Sequence, residues 1–543
     1  MKIFLILLFA PAVFLAQVNF TSSNLPIVVI NTNSQNIPDN PKIMVDMGII
    51  FNGAGNRNYM TDPFNHYNGK VMIEQRGSSS QMFPKKSYGF ETTDIFGNQI
   101  DTALLGMPTE SDWILSANYS DKSLLNNVLA YYISENMGYY AARTRYVEVV
   151  LNGQYQGVYV LMEKIKRDKN RVKIAKLKPT ENTGDNLTGG YILKIDKFTG
   201  NGGSFWTSPY PPAVSPNGQT IRIQYEYPKP DSITVQQRTY IQQYVDSFET
   251  ALSGSNFTNP QTGYKRYAKH YSFADYFLLN ELSKNVDGYR ISTYFFKDKY
   301  SKGGKLTMGP VWDYDIAWAN ANYCGGSSVT GWAYQFGNVC PNDGYQVPFW
   351  WGRLLQDPSF TEAVKCQWTY WRSNLLDTTK LFHYIDSMRI YLDESQARNF
   401  TRWPILGQYV WPNPNPIPQT YQEEIDELKN WLRNRIAWLD QNLPGTCTTL
   451  SQHQENYSDY SFAVYPNPNS GTFQVSFFGF ESGTMHWEII DASGRLVSRE
   501  EKPFDAGNNE VLFSGETLSL PPGIYFLRGQ SGPMQLSKKI IVR

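Results

Sequence analysis

Two short acidic segments carry the densest chemistry in this sequence. The first, ELSKNVDGYRISTYFFKD (281–298), reads as a helix end, a loop holding Asn285, Asp287 and Gly288, and then a strand. The second, LTMGPVWDYDIAWAN (306–320), reads as a strand that ends at Asp313 and Asp315. Two residues apart on a strand, those carboxylates point to one side. An acid on a helix-to-strand loop beside acids at a strand end suits phosphoryl transfer, where one carboxylate orients an attacking hydroxyl and another holds Mg²⁺ against the phosphates. An aspartate before glycine is by itself an ordinary turn residue, and the same acids also suit a Ca²⁺ site or the carboxylate pair of a glycosidase. Adjacent acids repel unless a cation or an arginine neutralises them, which gives the Trp-Asp-Tyr-Asp run the greater weight.

A second cluster is EQRGSSSQMFPKKSYGFE (74–91). Its Gly-Ser-Ser-Ser loop, with Ser78 and Ser79, offers backbone and hydroxyl donors to a phosphate, and Lys85 or Lys86 on the next strand offers a charge to reach it. The same text also describes a solvated hairpin tip. No GxxxxGK[ST] run occurs, which excludes a P-loop ATPase; no HRD or GxGxxG occurs, which excludes an ordinary eukaryotic-type protein kinase as a close relative. The five histidines are scattered, so HExxH-type zinc sites are absent and the chemistry must run on carboxylates, lysines, hydroxyls or a bound metal.

The elements that must position these residues read as α+β. The front third is strand-rich: KIMVDMGI from Lys42, KVMIEQRG from Lys70, KKSYGFET from Lys85, and RYVEVVLNGQYQGVYVLMEKI (145–165), in which NGQYQG between two β-branched runs predicts a hairpin. DKSLLNNVLAYYISENMG (121–138) has helical apolar spacing and a stop at Gly138. The rest is more helical: SFADYFLLNELSKN opens with Ser272 as a capping serine, and 421–443 carries Ile425, Leu428, Leu432, Ile436 and Leu439 on one face. A strand-rich front and a helix-rich back predict two lobes with a ligand between them.

Lys+Arg 49 against Asp+Glu 49 leaves no surplus positive charge, which argues against a nucleic-acid binder. MKIFLILLFAPAVFLA (1–16) has the length and flanks of a signal peptide, and no other stretch is apolar enough to span a membrane. An exported chain permits disulfides: Cys324 and Cys340 flank a Gly/Asn-rich loop and are the natural first pair, and Cys366 with Cys447 would then tie a helical segment to the end of the large domain. Residues 451–460 are polar and read as a linker; 461–543 is a series of short alternating runs with turn signals, which predicts a small β-sandwich.

Two resemblances organise these readings. The C-terminal segment resembles the type A sorting domain of type IX secretion, through YPNP with Gly471, the DASGR turn, LPPGIYFL and the terminal SKKIIVR. It implies export by the type IX machinery to the cell surface. The region 17–450 resembles the CotH (spore coat protein H) family of atypical protein kinases, through RGSSSQMFPKKSYGFE, the stretch from Asp112 to Gly138, VEVVLNGQYQGVYVLMEKIK, GGYILKIDK, NELSKNVDGYRISTYFFK, GPVWDYDIAWAN, FWWGRLLQDPSF and WLRNRIAWLD. This implies a two-lobed atypical protein-kinase-like domain followed by a small all-β sandwich, with ATP and Mg²⁺ (or Mn²⁺) as cofactors and Ser/Thr of secreted or surface proteins as acceptors. Carried over by position, Asp287 resembles the catalytic aspartate and Asp313 the metal-binding one, with Asp315 either assisting the metal or bracing the loop. Lys85 or Lys86 resembles the phosphate-reaching lysine, and Glu163 its partner. The chain departs from the family at Asn126 and Asn127, where relatives often carry Arg-Asn, which removes a positive charge from the helix. A kinase-like scaffold without catalysis, acting as a surface binding or adhesion module, is the alternative.

Overall fold

The computed structural model describes residues 18–198, 204–448, 462–479, 483–504, 507–514, 520–531 and 534–543. The signal-like stretch 1–16 and the linker 451–460 lie outside the described residues.

Seven strands close into a barrel. They are β1 (Ile27–Asn31), β2 (Ile43–Ile50), β3 (Tyr67–Arg76), β4 (Ser87–Thr93), β5 (Asp112–Ser116), β6 (Thr144–Leu151) and β7 (Gln154–Glu163), in the order β1-β2-β3-β4-β5-β7-β6. Neighbours are antiparallel except at the closure, where β1 runs parallel to β6 with Ile27 opposite Glu148. The expected hairpin is β6–β7. Its two-residue turn, Asn152-Gly153, has positive φ at both positions (50° and 75°), the conformation whose twist matches the flanking strands. Along β7, Tyr159 and Leu161 point into the barrel core, whereas Val158, Val160 and Met162 belong to a second core outside it. A strand buried on both faces explains the unbroken apolar run VYVLM.

The second core joins helix α1 (Asn126–Asn136) to a five-stranded antiparallel sheet and a set of helices. The sheet contains β8 (Tyr191–Ile195), β9 (Phe205–Thr207), β10 (Arg222–Tyr227), β11 (Thr293–Lys297) and β12 (Thr307–Met308), ordered β9-β10-β8-β11-β12. Helices α2 (Val235–Ser253), α3 (His270–Ser283), α4 (Pro358–Ser373), α5 (Thr378–Tyr391), α6 (Asp393–Arg402) and α7 (Tyr421–Asn442) follow. Helix α3 is buried from Ser272 to Ser283, so it is the central helix, against which α1, α4 and α7 pack. It starts three residues earlier than the sequence suggests, and Ser272 is not its cap: the Ser272 hydroxyl donates to the Lys269 carbonyl at 2.8 Å. Helix α7 starts at a full capping box, Thr420 with Glu423, and buries the expected apolar stripe.

Both expected disulfides form, Cys324–Cys340 and Cys366–Cys447. The first clips a loop whose carbonyls at Val329 and Gly331 accept from the fully buried Arg435 of α7, and whose amides at Ala333 and Tyr334 donate to Glu281 of α3. Arg435 also pairs with Glu281 at 3.2 Å. The loop is thereby fastened over the end of α3, the helix that leads to Asp287.

The C-terminal region is all-β. A three-stranded sheet of β13 (Phe462–Tyr465), β14 (Phe473–Gly479) and β17 (Gly507–Phe513) shares one core with a four-stranded sheet of β15 (Gly483–Asp491), β16 (Leu496–Phe504), β18 (Gly523–Ser531) and β19 (Met534–Val542). Alternation along β18 puts Tyr525 and Leu527 inside and Ile524 and Phe526 outside. Among the described residues no helix is long and apolar enough to cross a membrane.

Candidate active site

Asp287 follows the end of α3. Lys284 stops the helix in the left-handed conformation, and the Asn285 side chain accepts the Asp287 N–H at 3.1 Å. One oxygen of the Asp287 carboxylate, Oδ1, is held by Arg290 at 2.9 Å; the other makes no hydrogen bond among the described residues. Arg290 itself is buried and further fixed by the Val286 carbonyl, the Tyr345 carbonyl and Asp343. Asp287 is thus aimed rather than neutralised, since its arginine is shared with a second carboxylate.

Asp313 and Asp315 are not at a strand end. Strand β12 finishes at Met308, and residues 309–320 form an irregular loop in which Asp313 has φ 68°, a left-handed conformation unusual for a non-glycine residue. Alternation in WDYDIAW imitates a strand, but side-chain amides hold this backbone instead. Asn127 of α1 accepts the Tyr314 N–H at 2.7 Å; Asn126 and Asn320 donate to the Asp315 carbonyl at 2.9 and 2.8 Å; Asn285 donates to the Asp313 carbonyl at 3.3 Å. Asn280 accepts the Tyr314 hydroxyl at 3.1 Å, and Asn413 donates to Asn320 at 2.7 Å. The two carboxyls are within hydrogen-bonding distance of each other and, among the described residues, have no ion-pair partner.

That arrangement raises their proton affinity. Loss of hydration, then the charges of Asp315, Asp287 and Asp196, push Asp313 well above the usual carboxylate range; burial, then Asp287, raise Asp315 to about 6. By surface area each is only half-buried, yet the surrounding protein leaves little room for water, and the two acids titrate as a pair. Among the described residues no three His, Cys, Asp or Glu side chains form a complete cage for a metal. Mg²⁺ does not require one, because it takes one or two carboxylates and completes its shell with water and phosphate oxygens. Two adjoining hard-oxygen donors with uncompensated charge fit such an ion. Carboxyls this close do not fit a glycosidase, whose pair stands at least about 5 Å apart.

A CotH kinase protein family profile matches residues 73–439, and a secretion system C-terminal sorting domain profile matches residues 463–543. The chain belongs to the CotH kinase protein family. No curated protein matches it. The type IX sorting domain at the C-terminus assigns the chain to export to the cell surface or outside.

Within the CotH region, the departure at Asn126 and Asn127 takes on a different meaning. Both are buried and spend their side chains on the Asp313–Asp315 loop, so their role is bracing, not phosphate contact. Lys85 is also buried. Its ammonium donates to the Val158 carbonyl at 2.5 Å and to Asn399 of α6 at 3.0 Å, and lies 4.7 Å from the Tyr159 ring centre. Burial lowers it to about 7, opposed by the charge of Asp121. Lys86 donates to the Gln81 carbonyl at 2.6 Å. Neither lysine bonds Asp313 or Asp315 among the described residues. Glu163 does not partner Lys85: it is fully buried and paired with Arg143 at 3.0 Å and Arg171 at 3.5 Å, five residues along β7 from the carbonyl that holds Lys85. Ser78 and Ser79 are exposed at the tip after β3, where 79–82 makes one turn of 3₁₀ helix.

Two residues escaped the sequence reading. Asp196, just past β8, accepts from the Ser292 N–H at 3.2 Å, and the Ser292 hydroxyl donates to Asp313 at 3.3 Å. Arg76 ends β3 and lies 5.7 Å from the ring centre of Trp312, the residue before Asp313. The signal for Asp196 was present in GGYILKIDK, an acid closing a β-branched run; Arg76 was hidden beside a more conspicuous Ser-rich loop and lysine pair.

Proposed function

We propose that the chain is an exported, atypical protein kinase that transfers the γ-phosphoryl group of ATP to Ser or Thr hydroxyls of secreted or surface proteins. In this reading the barrel and the helical part are the two lobes of a kinase-like domain. The observation that carries it is the meeting of Asp287 with the uncompensated pair Asp313 and Asp315 on a loop braced by neutral amides. Asp313 and Asp315 would hold Mg²⁺ (or Mn²⁺), which supplies charge neutralisation of the phosphates when bound. Asp287 accepts the proton of the attacking hydroxyl through its free oxygen while Arg290 fixes the other; the acceptor oxygen bonds to phosphorus as the bond to the ADP oxygen breaks. A recess of about 250 Å³ is lined by Asp196, Arg222, Tyr345 and Arg290, the arginine that holds Asp287.

The test is the full chain with Mg²⁺ and γ-labelled ATP. Mg²⁺-ATP should raise the melting temperature and label should appear on added Ser/Thr-containing protein or on the chain itself. Asp313→Ala should lose both responses; Asp287→Asn should keep the thermal shift and lose about 100-fold or more of the transfer. Absence of both thermal shift and label in the wild type would leave the kinase reading without support and favour a binding module on the same scaffold.

A further inference from the structure

We propose that Arg76, in place of either lysine, is the barrel's contact to an anionic phosphate chain held opposite Asp313. The inference rests on the kinase reading for the identity of the ligand, but its geometry stands separately. Arg76 is the last residue of β3, immediately before Gly77 and the exposed serine loop, so its side chain leaves the barrel on the side where β3 ends. Its guanidinium sits over Trp312, whose ring is in turn stacked on Tyr131 of α1 at 6.1 Å and 22°. That aromatic pair carries Arg76 next to the carboxylate loop: Tyr131 accepts the Asp313 N–H at 3.5 Å. Arg76 and Asp313 also act electrostatically on the same two phenols, Tyr131 and Tyr294.

Two further observations favour an anion. Among the described residues Arg76 has no hydrogen bond or ion pair within 4 Å, although the ring under its guanidinium belongs to the residue next to Asp313. Lys85 and Lys86 spend their ammonium groups on backbone carbonyls, as described above. Lys164, on the chain just after β7, feels the charge of Arg76, although it is also 3.7 Å from Asp112, and Glu74 feels both cations. A planar guanidinium over the ring next to an acid pair that would hold a cation would give a polyphosphate two contacts, one bidentate to its oxygens and one through the metal.

The experiment measures binding of Mg²⁺-ATP and of Mg²⁺-pyrophosphate to the full chain by calorimetry, in wild type, Arg76→Gln and Arg76→Lys, with melting temperatures as a folding check. Arg76→Gln should weaken both ligands about 10- to 100-fold, and Arg76→Lys should recover part of the loss. Unchanged affinity for both ligands in a folded Arg76→Gln overturns the proposal. Pyrophosphate binding that depends on Arg76, without ATP binding, upholds the anion site and removes the kinase reading. Wild-type protein that binds neither ligand overturns both. If Arg76→Gln fails to fold, Arg76→Lys decides: equal affinity to wild type for both ligands overturns the proposal, since a lysine loses the bidentate contact, and a several-fold loss supports it.

Discussion

Replacing Asp315 by asparagine should stabilise the metal-free protein and abolish its response to Mg²⁺. Burial and the neighbouring Asp287 raise the Asp315 carboxyl from 3.8 to about 6, so the folded chain binds this proton more tightly than the unfolded chain does. The contribution favours the fold fully below about pH 4 and is lost as pH rises through about 6, which leaves the ionised group at pH 7.5 with a cost of about 3 kcal/mol. Asp315 is half-buried by surface area, and solvent screening reduces that to about 1–2 kcal/mol. Asp315→Asn keeps the shape, and the Asn126 and Asn320 bonds go to the backbone carbonyl, which is untouched. Thermal unfolding without metal at about pH 7.5 should therefore show the variant melting roughly 1–4 °C above wild type, with the gain shrinking toward about pH 4.5. Excess Mg²⁺ should raise wild type and leave the variant where it was, and the wild-type response should fade below about pH 6 as protons compete for the pair. A variant that melts below wild type at pH 7.5 without metal, or a Mg²⁺ shift of equal size in both proteins, refutes the reasoning.

Other outcomes follow from the same contacts. Asn127→Ala leaves the buried Tyr314 N–H without its acceptor and should cost about 1–3 kcal/mol in denaturant unfolding, together with weaker Mg²⁺ binding; an unchanged midpoint would show that the loop holds itself. Full reduction of the two disulfides, which close separations of 16 and 81 residues, removes about 3 and 4.5 kcal/mol of loop-closure stabilisation, so a melting temperature indifferent to reductant contradicts them as stability elements. A chain lacking residues 463–543 should fail to reach the cell surface when expressed in a host with type IX secretion, as read by surface labelling; normal display would overturn the role of the sorting domain.

Elements built from local alternation were legible in the sequence. Strands β2, β3, β4 and the β6–β7 hairpin all announce themselves through β-branched runs and the Asn152-Gly153 turn, and α7 through its capping box and apolar stripe. Barrel closure was not, because the parallel pairing of β1 with β6 joins residues more than a hundred positions apart and leaves no local mark. The site shows the same division. Asp287, Asp313 and Asp315 stand out by type and spacing, yet the backbone of the second pair was misread, since WDYDIAW alternates like a strand and the amides that hold it come from α1 and from positions 280, 285, 320 and 413. Lys85 was read as free to reach a ligand because its acceptor Asn399 lies 314 residues away.

The use of asparagine throughout that brace has a physical reason. The loop carries backbone carbonyls and amides that must be satisfied, and it also carries two acids that, in the proposed function, would hold a cation. An arginine or lysine at position 126 would also donate to carbonyls, but it would place a permanent positive charge beside Asp313 and Asp315, and at position 127 it would leave the Tyr314 N–H without an acceptor. Amides supply donors and acceptors with no net charge. The acids then keep their mutual repulsion, visible as raised proton affinity. A chain with equal totals of acidic and basic residues thus concentrates uncompensated negative charge in one loop, with Arg76 over the ring of Trp312 beside it.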